Sequence, residues 1–300
     1  MTAPGRHAPR EGDPATGTAR GPGEEAVDPS ELLAVARLAA EAGARTAMSW
    51  RDRADQLFIE EKAGPADLIS QADRDAELAV REVLARHRPD DGVLGEEQGM
   101  TGGRSGVRWI VDPIDGTTNY LYGRPDWAVS VAAARVADGE LLAGVVAEPA
   151  VGRLTEACLG GGTWADGRRV PELRAVELSH VLLELNLGHA SQRLLSGRLL
   201  DALVPVTRDV RRGGSAASAL AQMVTGRADA VWVPGLQPWD CAAGVLLVQE
   251  AGGLVGDLAG PVPGTWPASG DVLAAPPGLW EPLRVLLAEV YPPPESQPPS

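Results

Sequence analysis

The stretch Trp109-Ile110-Val111-Asp112-Pro113-Ile114-Asp115-Gly116-Thr117-Thr118-Asn119 decides how this 300-residue chain is read. Residues 108–112 form an apolar run that reads as a buried strand, and it delivers the Asp112 carboxylate at its end. Pro113 has no N–H to give a central ladder, so the chain is expected to turn there. Asp115 follows on the same turn, and Gly116-Thr117-Thr118 open a short helix. Two carboxylates on one tight turn repel each other unless a cation sits between them. The backbone N–H groups of Gly116 and Thr117, at a helix start, suit a phosphate. An isolated Asp-x-x-Asp would also serve as a turn in which Asp115 caps the next helix. The longer string favours a metal-plus-phosphate site.

Outward from that string, helices and strands come in alternating blocks. Toward the N-terminus, Asp28-Pro29-Ser30 is a helix-start signature, followed by a stripe of Leu32, Leu33, Ala36, Ala39 and Ala40. A second helix is predicted over Asp67 to His87, with Ala72, Ala76, Val80 and Leu84 on one face. Val93-Leu94 begin a strand that runs into Gly95-Glu96-Glu97. Toward the C-terminus, strands over 127–136 and 141–148 are joined through Ala137-Asp138-Gly139, a hairpin signal. Further strands are predicted over 154–158, 181–187 and 228–233. Helices are predicted over 190–203, 215–225, 239–251 and 279–289, with Gly252-Gly253 as a stop after the third. The pattern implies an α/β fold, a layered sandwich with mixed sheets rather than a doubly wound one. One domain over 29–291 is expected, in two packed halves meeting near 150–180. Residues 1–28 and 292–300, rich in Gly, Pro and polar residues, read as loose tails.

Composition excludes several classes. The net charge of −14 gives no basic face for nucleic acid, since Arg208, Arg211 and Arg212 form only a small cluster. An acidic protein still binds phosphate when metal ions supply the positive charge. No apolar run reaches membrane-spanning length and no secretory h-region is visible, so a cytoplasmic protein without membrane contact is expected. Cys158 and Cys241 make no disulfide framework. Lys62 is the only lysine among 27 basic residues. It is either the one residue to escape an arginine-rich bias, or a position that needs a compact ammonium.

The central string resembles the first signature of the inositol monophosphatase family. Trp239-Asp240-Cys241-Ala242-Ala243-Gly244, continuing to Glu250-Ala251-Gly252-Gly253, resembles the second. Gly95-Glu96-Glu97 and Lys62-Ala63-Gly64-Pro65-Ala66-Asp67-Leu68, followed by Asp73, match as well, all in the family's order. The resemblance implies an αβαβα sandwich like those of inositol monophosphatase and fructose-1,6-bisphosphatase. It implies a homodimer and hydrolysis of a small phosphate ester with two or three Mg²⁺ ions. Glu96, Asp112 and the Ile114 carbonyl would hold one ion, Asp112, Asp115 and Asp240 a second, and Glu96 would share a third through water. Asp240 taken alone would read as a helix cap. Thr117 and Asp73 resemble the dyad that orients and deprotonates the attacking water, and Lys62 would offset surplus negative charge. Glu97 and Glu250 are expected to stay outside the ligand set.

On the alcohol side the resemblance is weaker. Gly214-Ser215-Ala216 stand where the family lines its substrate pocket. Val233 stands where inositol-specific members carry an acidic residue, and it cannot accept a hydrogen bond from a sugar hydroxyl. His189, after Gly188, stands at a second pocket position often held by Ser. A reduced preference for myo-inositol 1-phosphate is therefore expected. Histidinol phosphate, fructose 1,6-bisphosphate and 3′-phosphoadenosine 5′-phosphate are the alternative substrates. A non-catalytic metal- or phosphate-binding member is the alternative of another class, and the complete carboxylate set argues against it.

Overall fold

The computed structural model describes residues 27–53, 57–64, 67–187 and 194–291, with the side chains of residues 61–68 outside the description. Residues 1–26 of the tail expected over 1–28, the 292–300 tail, the Lys62 ammonium, Gly188 and His189 thus lie outside the described residues. Helix α1 (Pro29–Arg51) starts where the sequence indicates, with Asp28 Oδ1 accepting from the Ser30 N–H at 2.8 Å. Its buried stripe is Leu32, Ala36, Ala39, Ala40, Gly43 and Ala47. This face packs on α2 (Gln71–His87), which buries Ala72, Ala76, Val80 and Leu84 as expected.

The predicted start of α2 at Asp67 is corrected. Residues Ile59–Gly64 (β1) and Asp67–Ser70 (β2) pair as an antiparallel two-stranded sheet instead. The helix begins at Gln71 because Ser70 caps it: Ser70 Oγ accepts from the Ala72 N–H, and Asp73 Oδ2 accepts from the Ser70 N–H at 2.8 Å.

The first large sheet contains β3 (Gly92–Gly95), β4 (Gly99–Thr101), β5 (Val107–Asp115), β6 (Ala128–Arg135), β7 (Leu141–Glu148), β8 (Arg153–Cys158), β9 (Gly162–Ala165) and β10 (Arg168–Arg169). Its order is β10-β9-β8-β7-β6-β5-β3-β4, antiparallel except where β3 runs parallel to β5. A short helix, α3 (Thr117–Leu121), links β5 to β6. The second sheet follows from β11 (Leu182–Leu185), α4 (Ser196–Leu203), β12 (Asp209–Arg211), α5 (Ala216–Val224), β13 (Ala230–Val233), α6 (Pro238–Glu250), β14 (Leu254–Asp257), β15 (Gly260–Pro261), β16 (Val272–Ala275) and α7 (Pro277–Val290). Its order is β12-β11-β13-β16-β14-β15, with β12, β11 and β13 parallel and the other pairs antiparallel.

Alternation along the strands sets the layers, because successive side chains leave a sheet on opposite faces. On β6, Val129, Val131 and Ala133 join the core under α1 and α2, while Ala128, Ala132 and Ala134 join the core of α5 and α6. On β13, Val231 and Val233 face that same middle core, while Ala230 and Trp232 face α4 and α7. The result is the expected αβαβα sandwich. Helix α6 is buried from Cys241 through Val248, as a helix between two sheets must be.

Strand β5 departs from expectation. It does not stop at Asp112 but continues through Pro113 to Asp115, pairing Asp112 with Ser130 and Asp115 with Ala128. Three steps on β5 oppose two on β6, so the chain carries a bulge, the irregularity that tolerates proline inside a sheet.

Candidate active site

The bulge decides the site's geometry. Residues three apart on a regular strand point to opposite faces; one extra residue cancels the alternation and returns both carboxylates to one side. Asp112 and Asp115 each bring one oxygen within 4.8 Å of the other and of an Asp240 oxygen. Asp240 arrives from the third position of α6, in a capping box with Gln237: its Oδ2 accepts from the Gln237 N–H at 2.7 Å. Asp240 is therefore not the cap itself, which is Gln237, but the third helical residue reaching back to it, and one of its oxygens approaches Asp112 and Asp115. Ser130 on β6 ties down that helix start by donating to the Trp239 carbonyl at 3.2 Å.

Glu96 is carried by the parallel pair β3 and β5. Gly95 sits opposite Val111, so Glu96, just past the end of β3, comes beside Asp112 within β5, and the Glu96 N–H donates to the Val111 carbonyl at 3.1 Å. Glu96 lies outside the tight trio, yet its charge acts on Asp73, Asp112 and Asp115.

Each aspartate of the motif has defined partners. Asp112 Oδ1 accepts from the Ile114 N–H at 3.0 Å. Asp115 Oδ2 accepts from Ser215 Oγ at 2.7 Å and from the Ala217 N–H at 2.6 Å. Burial pushes Asp112 well above the usual carboxylate range, and Glu96, Asp115, Asp240 and Asp73 push it the same way. Asp115 is pushed up to about 8, by burial first and Asp240 next, against the two hydrogen bonds that lower it. Asp112 and Asp115 are buried and raise each other's pKa, Asp240 is half-buried beside them, and oxygens this close could hold a hard divalent cation.

Gly116, at φ +95°, caps α3 without a side chain, a backbone that glycine adopts without strain. Thr117 Oγ1 lies 3.2 Å from both Asp73 Oδ1 and the Ile114 carbonyl, so the expected Thr117–Asp73 pair is brought together. Asp73 is wholly buried on α2 and not solvent-facing. Burial raises its pKa to about 6 against the lowering hydrogen bonds from Ser70 and Thr117, with Glu96 adding to the rise. Tyr120 anchors α3, donating from its hydroxyl to the Ala47 carbonyl at 2.8 Å and meeting Trp127 edge-on at 5.0 Å.

The pocket residues divide. Gly214 lies beside Asn119, whose Nδ2 donates to the Gly213 and Asp126 carbonyls at 2.6 and 2.5 Å. Ser215 turns to Asp115, a role the sequence reading did not give it. Ala216 and Val233 are buried in the middle core, Val233 at 2% exposure. Glu250, at the end of α6, accepts from the Gly160 and Gly162 N–H groups at 2.8 Å each.

Comparison with known proteins gives one family. Residues 28–291 match the profile of the Inositol monophosphatase family. A Mesorhizobium japonicum protein named Inositol-1-monophosphatase is 43% identical over 203 residues, covering 66% of this chain and 74% of its own. Inositol-1-monophosphatase SuhB of Mycobacterium tuberculosis is 39% identical over 282 residues, covering 87% of this chain and 94% of its own. Among solved structures, the extragenic suppressor protein suhB of Bartonella henselae superposes with a TM-score of 0.80 at 34% identity, over 86% of this chain and 98% of that one.

Proposed function

The chain belongs to the inositol monophosphatase family, and from that premise we propose that it is a magnesium-dependent hydrolase that releases inorganic phosphate from a small phosphate monoester. The observation that carries the reading is the convergence of Asp112, Asp115 and Asp240 within 4.8 Å at the ends of a bulged strand and a helix. Family membership supports phosphomonoester chemistry, and the donor set, all hard oxygen, supports magnesium. Glu96, Asp112, Asp115, Asp240 and the Ile114 carbonyl are the residues that would hold the ions. When bound, magnesium neutralises the phosphate oxygens, acidifies the attacking water and stabilises the leaving alkoxide.

The chain's own residues do the rest. The Gly116 and Thr117 N–H groups at the start of α3 are proposed to hold the phosphate. The Thr117 hydroxyl donates toward Asp73 and thereby turns a lone pair outward to orient the water. As the water gives up its proton to Thr117, Thr117 passes its own to Asp73. Attack is in line, with no phosphoenzyme. Gly214 and Ser215 are the proposed alcohol-side lining, and Val233, buried in the middle core, supplies no acceptor like the one inositol-specific members use. The substrate is accordingly read as inositol-phosphate-like, with a reduced preference for inositol 1-phosphate itself. A homodimer belongs to the same reading and rests on the family resemblance, and a cytoplasmic location is proposed with it.

The test is phosphate release from inositol 1-phosphate, histidinol phosphate, fructose 1,6-bisphosphate, 3′-phosphoadenosine 5′-phosphate and glycerol 2-phosphate, with and without Mg²⁺, for wild type and Asp112→Asn. Metal-dependent release abolished by Asp112→Asn supports the reading, and a dominant preference for inositol 1-phosphate overturns its substrate half. A Mg²⁺-binding protein inert on every ester points to the binding role instead.

A further inference from the structure

Glu77 lies on α2, wholly buried, and is not one of the clustered acidic residues. Its carboxylate is occupied by the turn that follows β3. Oε2 accepts from the Glu97 N–H at 2.7 Å, and Oε1 accepts from the Gln98 N–H at 3.1 Å. Arg81, one turn further along α2, donates from Nε to Glu77 Oε1 at 2.7 Å. The same guanidinium continues to the Gly99 carbonyl at 2.6 Å and to Thr101 Oγ1 at 3.0 Å.

Glu96 is the residue just before the two amides that Glu77 holds, and its own N–H is bonded to Val111 on β5. Its backbone is thus fixed on one side by the sheet and on the other by Glu77. Gly95 completes the arrangement. A Cβ there would stand 2.2 Å from Glu77 Oε1, so the glycine of Gly95-Glu96-Glu97 is the space into which the carboxylate fits.

A buried ion pair is by itself weak evidence of stabilisation, because an apolar pair of the same shape often does as well. What a carboxylate supplies that an apolar group cannot is two oxygens set to receive two successive amides. We propose that Glu77 is a positioning residue for the cation site: with Arg81 it clamps the 96–98 turn and so aims the Glu96 carboxylate toward Asp112. The inference rests on the magnesium reading above. Gln at position 77 keeps one acceptor but turns an NH₂ toward the second amide and forfeits the pair with Arg81.

The experiment compares wild type, Glu77→Gln and Gly95→Ala. It measures the Mg²⁺ concentration for half-maximal phosphate release, the ester KM at saturating Mg²⁺, direct Mg²⁺ binding by calorimetry, and melting in chelator. A shift of about 10- to 100-fold in half-saturating Mg²⁺ is expected for Glu77→Gln, the usual cost of losing a group that orients a metal ligand. KM at saturating Mg²⁺ should stay near wild type. Gly95→Ala should reproduce the shift with Glu77 intact, and it decides the matter if Glu77→Gln fails to fold. Adding Glu77→Ala to Gly95→Ala should cost less than the sum of the two single changes, since the clash disappears with the carboxylate. Unchanged magnesium affinity in folded variants, with only melting lowered, would overturn the clamp and leave the phosphatase reading intact. A wild type whose activity ignores Mg²⁺ would overturn that reading, and the clamp with it.

Discussion

Ser215 Oγ donates to Asp115 Oδ2 across 2.7 Å, joining residues 100 positions apart in sequence. The same hydroxyl accepts from the Ser218 N–H at 3.1 Å and so caps α5. One side chain therefore starts a helix in the middle layer and fixes a carboxylate delivered by the first large sheet. Ser215→Ala removes both bonds while the Ala217 N–H still holds Asp115. A loss of about 1–3 kcal/mol is expected in chemical denaturation with Mg²⁺ present, the sum of a lost cap and a lost bond to a charged acceptor.

Asp112→Asn should separate stability from function. Its amide oxygen can keep the bond from the Ile114 N–H, and the substitution removes a buried carboxyl that the metal-free fold must otherwise keep protonated against burial and its acidic neighbours. In chelator the variant should melt above wild type. On adding Mg²⁺, wild type should gain stability and the variant little or none, with activity down by at least ~10³-fold, since the ion supplies several kcal/mol of transition-state charge stabilisation. Scanning calorimetry of both proteins with and without Mg²⁺ checks the crossover.

The pH dependence of the metal-free protein has a definite sign. Asp115 has an ordinary value of 3.8 and is held at about 8 in the fold. Between those values the folded chain keeps a proton that the unfolded chain has lost, so stability falls as pH rises. As far as this group governs it, melting in chelator should be highest at or below about pH 4 and should decline up to about pH 8. Magnesium should flatten or reverse the slope, because the bound ion favours the ionised carboxylates. Stability in chelator that rises with pH across this window would contradict the assignment.

What was legible in the sequence follows from how local each feature is. Asp112, Asp115 and the start of α3 lie in one string, so their chemistry could be read before any fold was known. Asp240 and Glu96 entered through their own short strings. Glu77 carried no such signal: an acidic residue in mid-helix reads as solvated, and the amides it holds lie 20 positions further on. The bond from Ser215 to Asp115 was hidden for the same reason. Pro113 reads as a strand end because a regular ladder has no place for it, and only the pairing of β5 with β6 reveals the bulge. Strands β4, β9, β10, β12, β14, β15 and β16 carry no clear signal because each is only two to four residues long. The described strands around the motif were predicted well, since each is a continuous apolar run bounded by a turn.

The last prediction concerns Thr117 and Asp73, 3.2 Å apart and joined by the threonine hydroxyl. If Thr117 relays the proton of the attacking water, Thr117→Ala should lower kcat by about 10²–10⁴-fold, the usual contribution of a positioned acid or base. KM should barely move, and Thr117→Ser should recover much of the loss because it restores the hydroxyl. Asp73 must be ionised to receive that proton, and its value in the metal-free fold is about 6, raised by burial and by Glu96. Protonation disables it, so activity is lost as pH falls. Magnesium at the neighbouring carboxylates offsets the Glu96 charge and draws the value down, placing the acid limb of kcat at or below about pH 6. Asp73→Asn keeps an acceptor for the Thr117 hydroxyl but cannot take its proton. That variant should lose the acid limb along with most of kcat, and an acid limb surviving unchanged in its residual activity would assign the titration to another group.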